Sequence, residues 1–379
     1  MFYDLLPQRR FPAARAVIIA LLLLEYSLFV RPQSQRYDYF ELPDVPAAPL
    51  FSEAAPKIVS QTLLTAPEPM SHAAAAAPLP DGGLLALWYS GSGEGKSDVK
   101  IYSSRRIDGV WTAPEEFLSR QELAKRTGRY VKTLGNPVLF LRDGRLYCWV
   151  VSVGFGGWSG SSLNLWVNAG GSTGSFRRLR LSPLLNLSNL ARCAPVEMGH
   201  DRLGLPFYHE LIKKYALFAI VDDKGRVLRR ARIPAAGEAL QPAVIPLGNR
   251  EALALMRRAA GAADDTIPTA KTADAGRSWQ AAEPLAIENH DSSLAAARMG
   301  NRLFLAANPG SDRSKLVLYE AAAEAPYDWK EVLTLEEEPG CEFSYPVLLA
   351  GGDGTLELLY TWKREGIKAV TIAFGEENQ

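Results

Sequence analysis

The side chains able to do chemistry are scattered along the whole chain. Four carboxylates, Glu94, Asp98, Glu210 and Glu342, stand in short polar segments rich in Gly, Ser or aromatic residues. Cleavage of a glycosidic bond needs a pair of such groups, one as acid and the other as base or nucleophile. Arg257, Arg313 and Arg364 occupy similar segments, and a guanidinium grips a carboxylate through two parallel hydrogen bonds. Trp158 and Trp362 offer flat faces on which a sugar can stack. Tyr345, close to Glu342 in sequence, becomes a nucleophile if a neighbouring carboxylate takes its proton. His72 supplies an imidazole base for a different reaction, the elimination that cleaves uronate polysaccharides. Asn136, His209, Gln241 and Asn308 add neutral polar groups suited to holding a ligand.

Residues so far apart act together only if the fold brings them to one place. An apolar run, a Gly/Asp/Asn turn and a second apolar run recur six times, at Asp81-Gly82-Gly83, Asp143-Gly144, Gly199-His200-Asp201, Gly248-Asn249, Gly300-Asn301 and Asp353-Gly354. Each is a hairpin signal, and a spacing of roughly 50 to 60 residues suits four-stranded blades. The prediction is an all-β chain folded as a six-bladed propeller over residues 56–379. A pair of β-sandwiches split near residue 190 would also show short strands, but it leaves the even spacing unexplained.

A second motif follows the hairpins in phase. Its clearest copy is Thr272-Ala273-Asp274-Ala275-Gly276-Arg277-Ser278-Trp279, with worn copies at Asp108-Trp111, Gly170-Phe176 and Tyr327-Trp329. The Asp accepts turn amides, the Gly takes a positive φ, and the Trp packs between sheets. With the hairpins as turns between first and second strands and this motif between third and fourth, both lie on one face of the disc. The opposite face then collects the first-strand starts and the second-to-third-strand loops. All the chemical residues named above fall there, and propeller mouths of this kind bind polar ligands against a rigid scaffold.

Composition narrows the partners. The 379 residues carry 42 Lys+Arg and 42 Asp+Glu, for a formal net charge of zero, which lacks the basic footprint that nucleic-acid binding needs. Cys148, Cys193 and Cys341 are widely separated, and the four histidines show no i, i+4 pair, so neither metal nor cofactor is expected. Near the N-terminus Arg9, Arg10 and Arg15 precede the apolar run Ala16–Leu24, the pattern of a signal anchor or signal peptide. Residues 1–35 are assigned to that segment and the Pro/Ala-rich residues 36–55 to a linker. The propeller is then expected outside the cytoplasm, held to the inner membrane or secreted, as a monomer.

Several segments resemble the sialidase (neuraminidase) superfamily, in particular the bacterial predicted-neuraminidase branch of Asp-box, or BNR-repeat, proteins. They include Ser71-His72-Ala73, Trp88-Tyr89-Ser90-Gly91-Ser92-Gly93-Glu94, Gly135-Asn136-Pro137, Ser344-Tyr345-Pro346 and Tyr360-Thr361-Trp362-Lys363-Arg364, within a resemblance covering about residues 55 to 375. The resemblance implies Asp98 as acid/base, Tyr345 as nucleophile, and Arg257 and Arg313 as the second and third arginines of a carboxylate clamp. Two departures stand out: Ser71-His72 occupies the place of the first arginine, and Gln241 that of the glutamate partnering the tyrosine, a role left to Glu342. The expected activity is a glycoside hydrolase acting on an acidic oligosaccharide or glycoconjugate. The alternatives are a polysaccharide lyase using His72 and Tyr345, and a glycan-binding propeller without catalysis.

Overall fold

The six Gly/Asp/Asn turns each close a two-stranded hairpin, and all but Gly248-Asn249 do so with a residue in the left-handed backbone that Gly, Asp or His adopts there. Asp143 and Gly144 have φ of 49° and 68°, and His200 and Asp201 have 65° and 55°. The structure, a computed structural model, describes residues 16–21, 23, 38–42, 55–169, 174, 176–182, 186–260 and 266–374. Six antiparallel sheets follow one another, with innermost strands Met70–Pro78, Thr133–Arg142, Val196–Met198, Ala239–Pro246, Ala295–Met299 and Phe343–Ala350. The chain is a six-bladed propeller, as its turns and their spacing predict. The first blade also pairs Glu115–Leu118 with Lys100–Ile107 and is followed by a helix, Arg120–Thr127, capped by Ser119 accepting from the Glu122 amide.

Inner strands crowd around the axis, which favours small side chains. In the first blade Ala73 to Ala77 are all buried. Apolar side chains of adjacent blades interlock between the sheets, and the Asp-box motif supplies one such plug. Asp274 accepts from the amide and hydroxyl of Ser278, Gly276 takes φ of 77°, and Trp279 packs against Phe218 of the preceding blade, ring centroids 5.5 Å apart. The worn copy at 170–176 falls largely outside the described residues.

The ring closes in a way the sequence reading missed. Lys57–Leu64 pairs antiparallel with Gly366–Ala373, so the last blade joins both ends of the propeller. Such a clasp removes the free edge that an open ring would leave.

Part of the segment assigned to a linker is also packed. Phe40 is fully buried among Met198, Phe218 and their neighbours, its amide donates to the Asn249 carbonyl at 2.7 Å, and Asp38 pairs with Arg202. Residues 38–42 therefore lie against the hairpin-turn face, where a buried aromatic repays the ordering of a short extended stretch. Residues 16–21 and 23 are helical, with Val17, Ile18, Ile19, Leu21 and Leu23 exposed. Among the described residues no helix is long and apolar enough to cross a membrane.

Candidate functional site

The mouth is shaped by a repeated irregularity of the inner strands. Pairing slips between His72 and Ala75, Leu134 and Pro137, Leu240 and Ala243, and Ser344 and Val347. A bulge of this kind re-aims side chains at the end of a strand. In three of the four it places a residue other than glycine in the left-handed region: Ala73 at φ 57°, Gln241 at 49° and Tyr345 at 53°. Such backbone is costly and persists only where the surroundings enforce it.

A cavity of about 130 Å³ opens at this face, and all six blades contribute to its wall. Glu94 comes from the first, Asn136 and Trp158 from the second, Tyr208 and Glu210 from the third, Gln241 and Arg257 from the fourth, Asp291 from the fifth and Tyr345 from the sixth, with Lys214 beside them. Trp158 rests directly on Gly135, where a Cβ would come within 2.6 Å of its ring; the glycine makes room for the indole.

Tyr345 is the centre of the electrostatics. Arg257 donates from Nη1 to the phenol oxygen at 2.9 Å, while its Nε and Nη2 hold Asp291 at 2.8 and 2.7 Å. The guanidinium carbons of Arg192, Arg257 and Arg313 lie 5.3, 5.9 and 5.5 Å from the ring centroid. Arg192 is buried, spends its donors on the carbonyls of Ala74, Tyr345 and Pro346, and pairs with no carboxylate among the described residues. Burial pushes its pKa down, yet it remains an arginine and charged.

A chain of ion pairs runs beside this cluster. Glu342 accepts from Arg313 at 2.9 Å, Arg364 at 2.7 Å and the Ser344 hydroxyl at 2.6 Å, and Arg364 continues to Glu94 at 3.1 Å. Burial alone would raise the Glu342 pKa, but the Arg364 hydrogen bond, with Ser344 and Arg313, outweighs it and holds the carboxyl at about 2. Glu210 is the opposite case. Burial raises its pKa, and among the described residues its carboxylate accepts no hydrogen bond. Two carboxyls whose environments push them apart are what an acid/base division of labour needs.

Four expected site residues lie elsewhere. Asp98 is exposed and caps its own loop, accepting from the Ser92 amide at 3.0 Å and hydroxyl at 3.1 Å; these bonds lower its pKa. His72 is fully buried, with its ring 4.2 Å from that of Tyr345 and Nδ1 3.0 Å from the Thr361 hydroxyl. Burial drives its pKa well below the usual histidine value. Asn308 is buried and ties Ser292, Lys315 and Phe343 together. His209 packs at a tilt against the Tyr215 ring and bonds the Ser188 carbonyl. Blade phase also assigns Arg192 and Asp291, at first-strand starts, and Tyr208, at a second-to-third-strand loop, to the mouth; Lys214, which lines the same cavity, carries no such signal.

The family model for the BNR repeat-like domain matches residues 82–358. No curated protein matches the chain. Among solved structures, a protein of unknown function from Dyadobacter fermentans superposes with TM-score 0.70 at 17% identity, covering 85% of this chain and 100% of that one. The Hadza microbial sialidase Hz136 gives 0.63 at 15%, covering 81% and 66%. A mutant of the NanB sialidase from Streptococcus pneumoniae gives 0.64 at 10%, covering 83% and 70%. At these identities the likeness is one of fold.

Proposed function

Because the chain belongs to the BNR repeat-like domain family, we propose that its mouth is the active site of a glycoside hydrolase acting on an acidic glycan. The observation that carries this reading is Tyr345, held in strained backbone at the cavity with its hydroxyl on Arg257 and three guanidinium groups about its ring. Negative charge developing on the phenol oxygen meets fixed positive charges, and none has to reorganise as the reaction proceeds. Tyr345 Oη attacks the anomeric carbon, and its proton passes to Glu94, which lines the same cavity. The glycosidic carbon–oxygen bond breaks as the leaving oxygen takes a proton from Glu210. Water then cleaves this tyrosyl glycoside, with Glu210 accepting a proton from the water and Glu94 returning one to the phenol oxygen as it leaves.

Glu210 suits the acid role better than Asp98, whose low pKa and Ser92 bonds commit it to its loop. Lys214, which pairs with no carboxylate among the described residues, is the cation available for an acidic substituent; Arg257, Arg313 and Arg364 already hold carboxylates. His72 reads as a support for the Tyr345 ring, because an enclosed imidazole cannot reach a sugar, and this weighs against the lyase alternative. The packing of residues 38–42 on the hairpin face supports an arrangement in which the N-terminal segment anchors the propeller with its mouth turned away from a membrane.

A screen of acidic glycans with products read by mass tests the proposal. Hydrolysis adds one water to the summed products and is lost in Tyr345→Phe. An unsaturated product, or binding without product, would sink it.

A further inference from the structure

A second cavity, of about 420 Å³, lies on the shoulder of the second blade and shares the loop that carries Trp158 to the mouth. Phe155 and Gly160 of that loop face the second cavity, while Trp158 between them faces the first. The loop is fixed by Lys132, whose Nζ donates to the Gly156 carbonyl at 2.8 Å. Hydroxyl and amide groups of Ser152, Ser162 and Asn164 line the new cavity, and Asn164 is locked by donating to the Ser152 hydroxyl at 2.8 Å and the Val150 carbonyl at 3.1 Å.

Its rim combines features that a folded chain does not need for itself. Tyr130 and Phe155 are 72% and 62% exposed, large aromatic faces left in water beside a polar hollow. Arg129 and Arg178 also line it, and among the described residues neither pairs with a carboxylate. Arg178 donates from Nη2 to the Asn186 carbonyl, while its buried Nε has no partner. Two like charges held at one hollow without a counter-ion disfavour each other and await an anion.

We infer that this cavity is a second sugar subsite, in which a further unit of the bound glycan stacks on Tyr130 and Phe155 and places a carboxylate or sulfate between Arg129 and Arg178. The inference rests on the glycan reading of the mouth and deepens it: the substrate is an acidic chain of several units, not a single terminal sugar on a neutral stem.

The test measures binding of fluorescent hyaluronan and heparin hexasaccharides, and of the matching disaccharides, to the full chain. The wild type binds at least one hexasaccharide about tenfold tighter than its disaccharide. The combined variant Tyr130→Ala, Phe155→Ala, Arg178→Gln abolishes that advantage and leaves disaccharide affinity unchanged. Arg129→Gln, at an exposed position with no packing role, repeats the loss in part and separates it from misfolding. A length advantage that survives in both variants overturns the subsite while leaving the mouth intact. Absence of binding by every probe refutes the glycan reading itself, and the subsite with it.

Discussion

Replacing Glu342 by Gln removes the carboxylate on which Arg313 and Arg364 converge. Its pKa falls from the ordinary 4.5 to about 2 in the folded chain, which corresponds to a ceiling of about 3 kcal/mol of stabilisation of the charged form. The side chains involved are 22 to 32% exposed, so solvent screening brings the expected loss to about 2 kcal/mol. The sign follows from the direction of the shift. A carboxyl with a depressed folded pKa contributes its stability above its unfolded value and loses it as pH falls toward the folded one. Urea unfolding of wild type and Glu342→Gln should therefore differ by about 2 kcal/mol at pH 7, and the gap should narrow steadily between about pH 5 and pH 2. A gap that is constant across that range would refute the claim that the arginine pair holds Glu342 ionised.

Other outcomes follow from the same contacts. Tyr345→Phe keeps the ring among its arginines but lacks the attacking oxygen, and turnover of any glycan substrate should drop by about a hundredfold or more in steady-state assays. Activity should decline as pH rises through the elevated pKa of Glu210, and Glu210→Gln should abolish that limb of the pH profile. The same carboxyl has its folded pKa raised, so its cost to stability appears as pH rises; Glu210→Gln should be more stable than wild type at pH 7 and indistinguishable near pH 3 by thermal unfolding. Phe40→Ala should lower stability by about 3 kcal/mol through the cavity it leaves, read by urea unfolding, without altering glycan binding at the opposite face.

Much of the architecture is visible in residue order because hairpin turns and the Asp box are local: Asp143-Gly144 and Thr272–Trp279 each specify their own geometry. The closing strand Lys57–Leu64 is harder to see, since most of its side chains are exposed and it has no apolar alternation to betray it. Phe40 likewise carries no periodic signal; only its pocket on distant blades makes it structural. Blade phase correctly placed Glu94, Asn136, Trp158, Glu210, Gln241, Arg257 and Tyr345 around one cavity. It failed for His72 and Asn308, where strand position says nothing about whether a side chain turns toward the mouth or into the packing. Asp98 shows a further limit: a loop carboxylate two residues before a strand serves a turn as readily as a ligand, and only the Ser92 contacts decide between them.

The central claim is that Tyr345 becomes covalently linked to the sugar. Intact-protein mass spectrometry of Glu210→Gln, quenched while processing an aryl glycoside of the acidic sugar found by the glycan screen, measures this directly. The account predicts an added mass of one sugar unit that maps to the peptide containing Tyr345 and is absent from Tyr345→Phe. Hydrolysis that proceeds with no adduct, and at an unchanged rate in Tyr345→Phe, would contradict it.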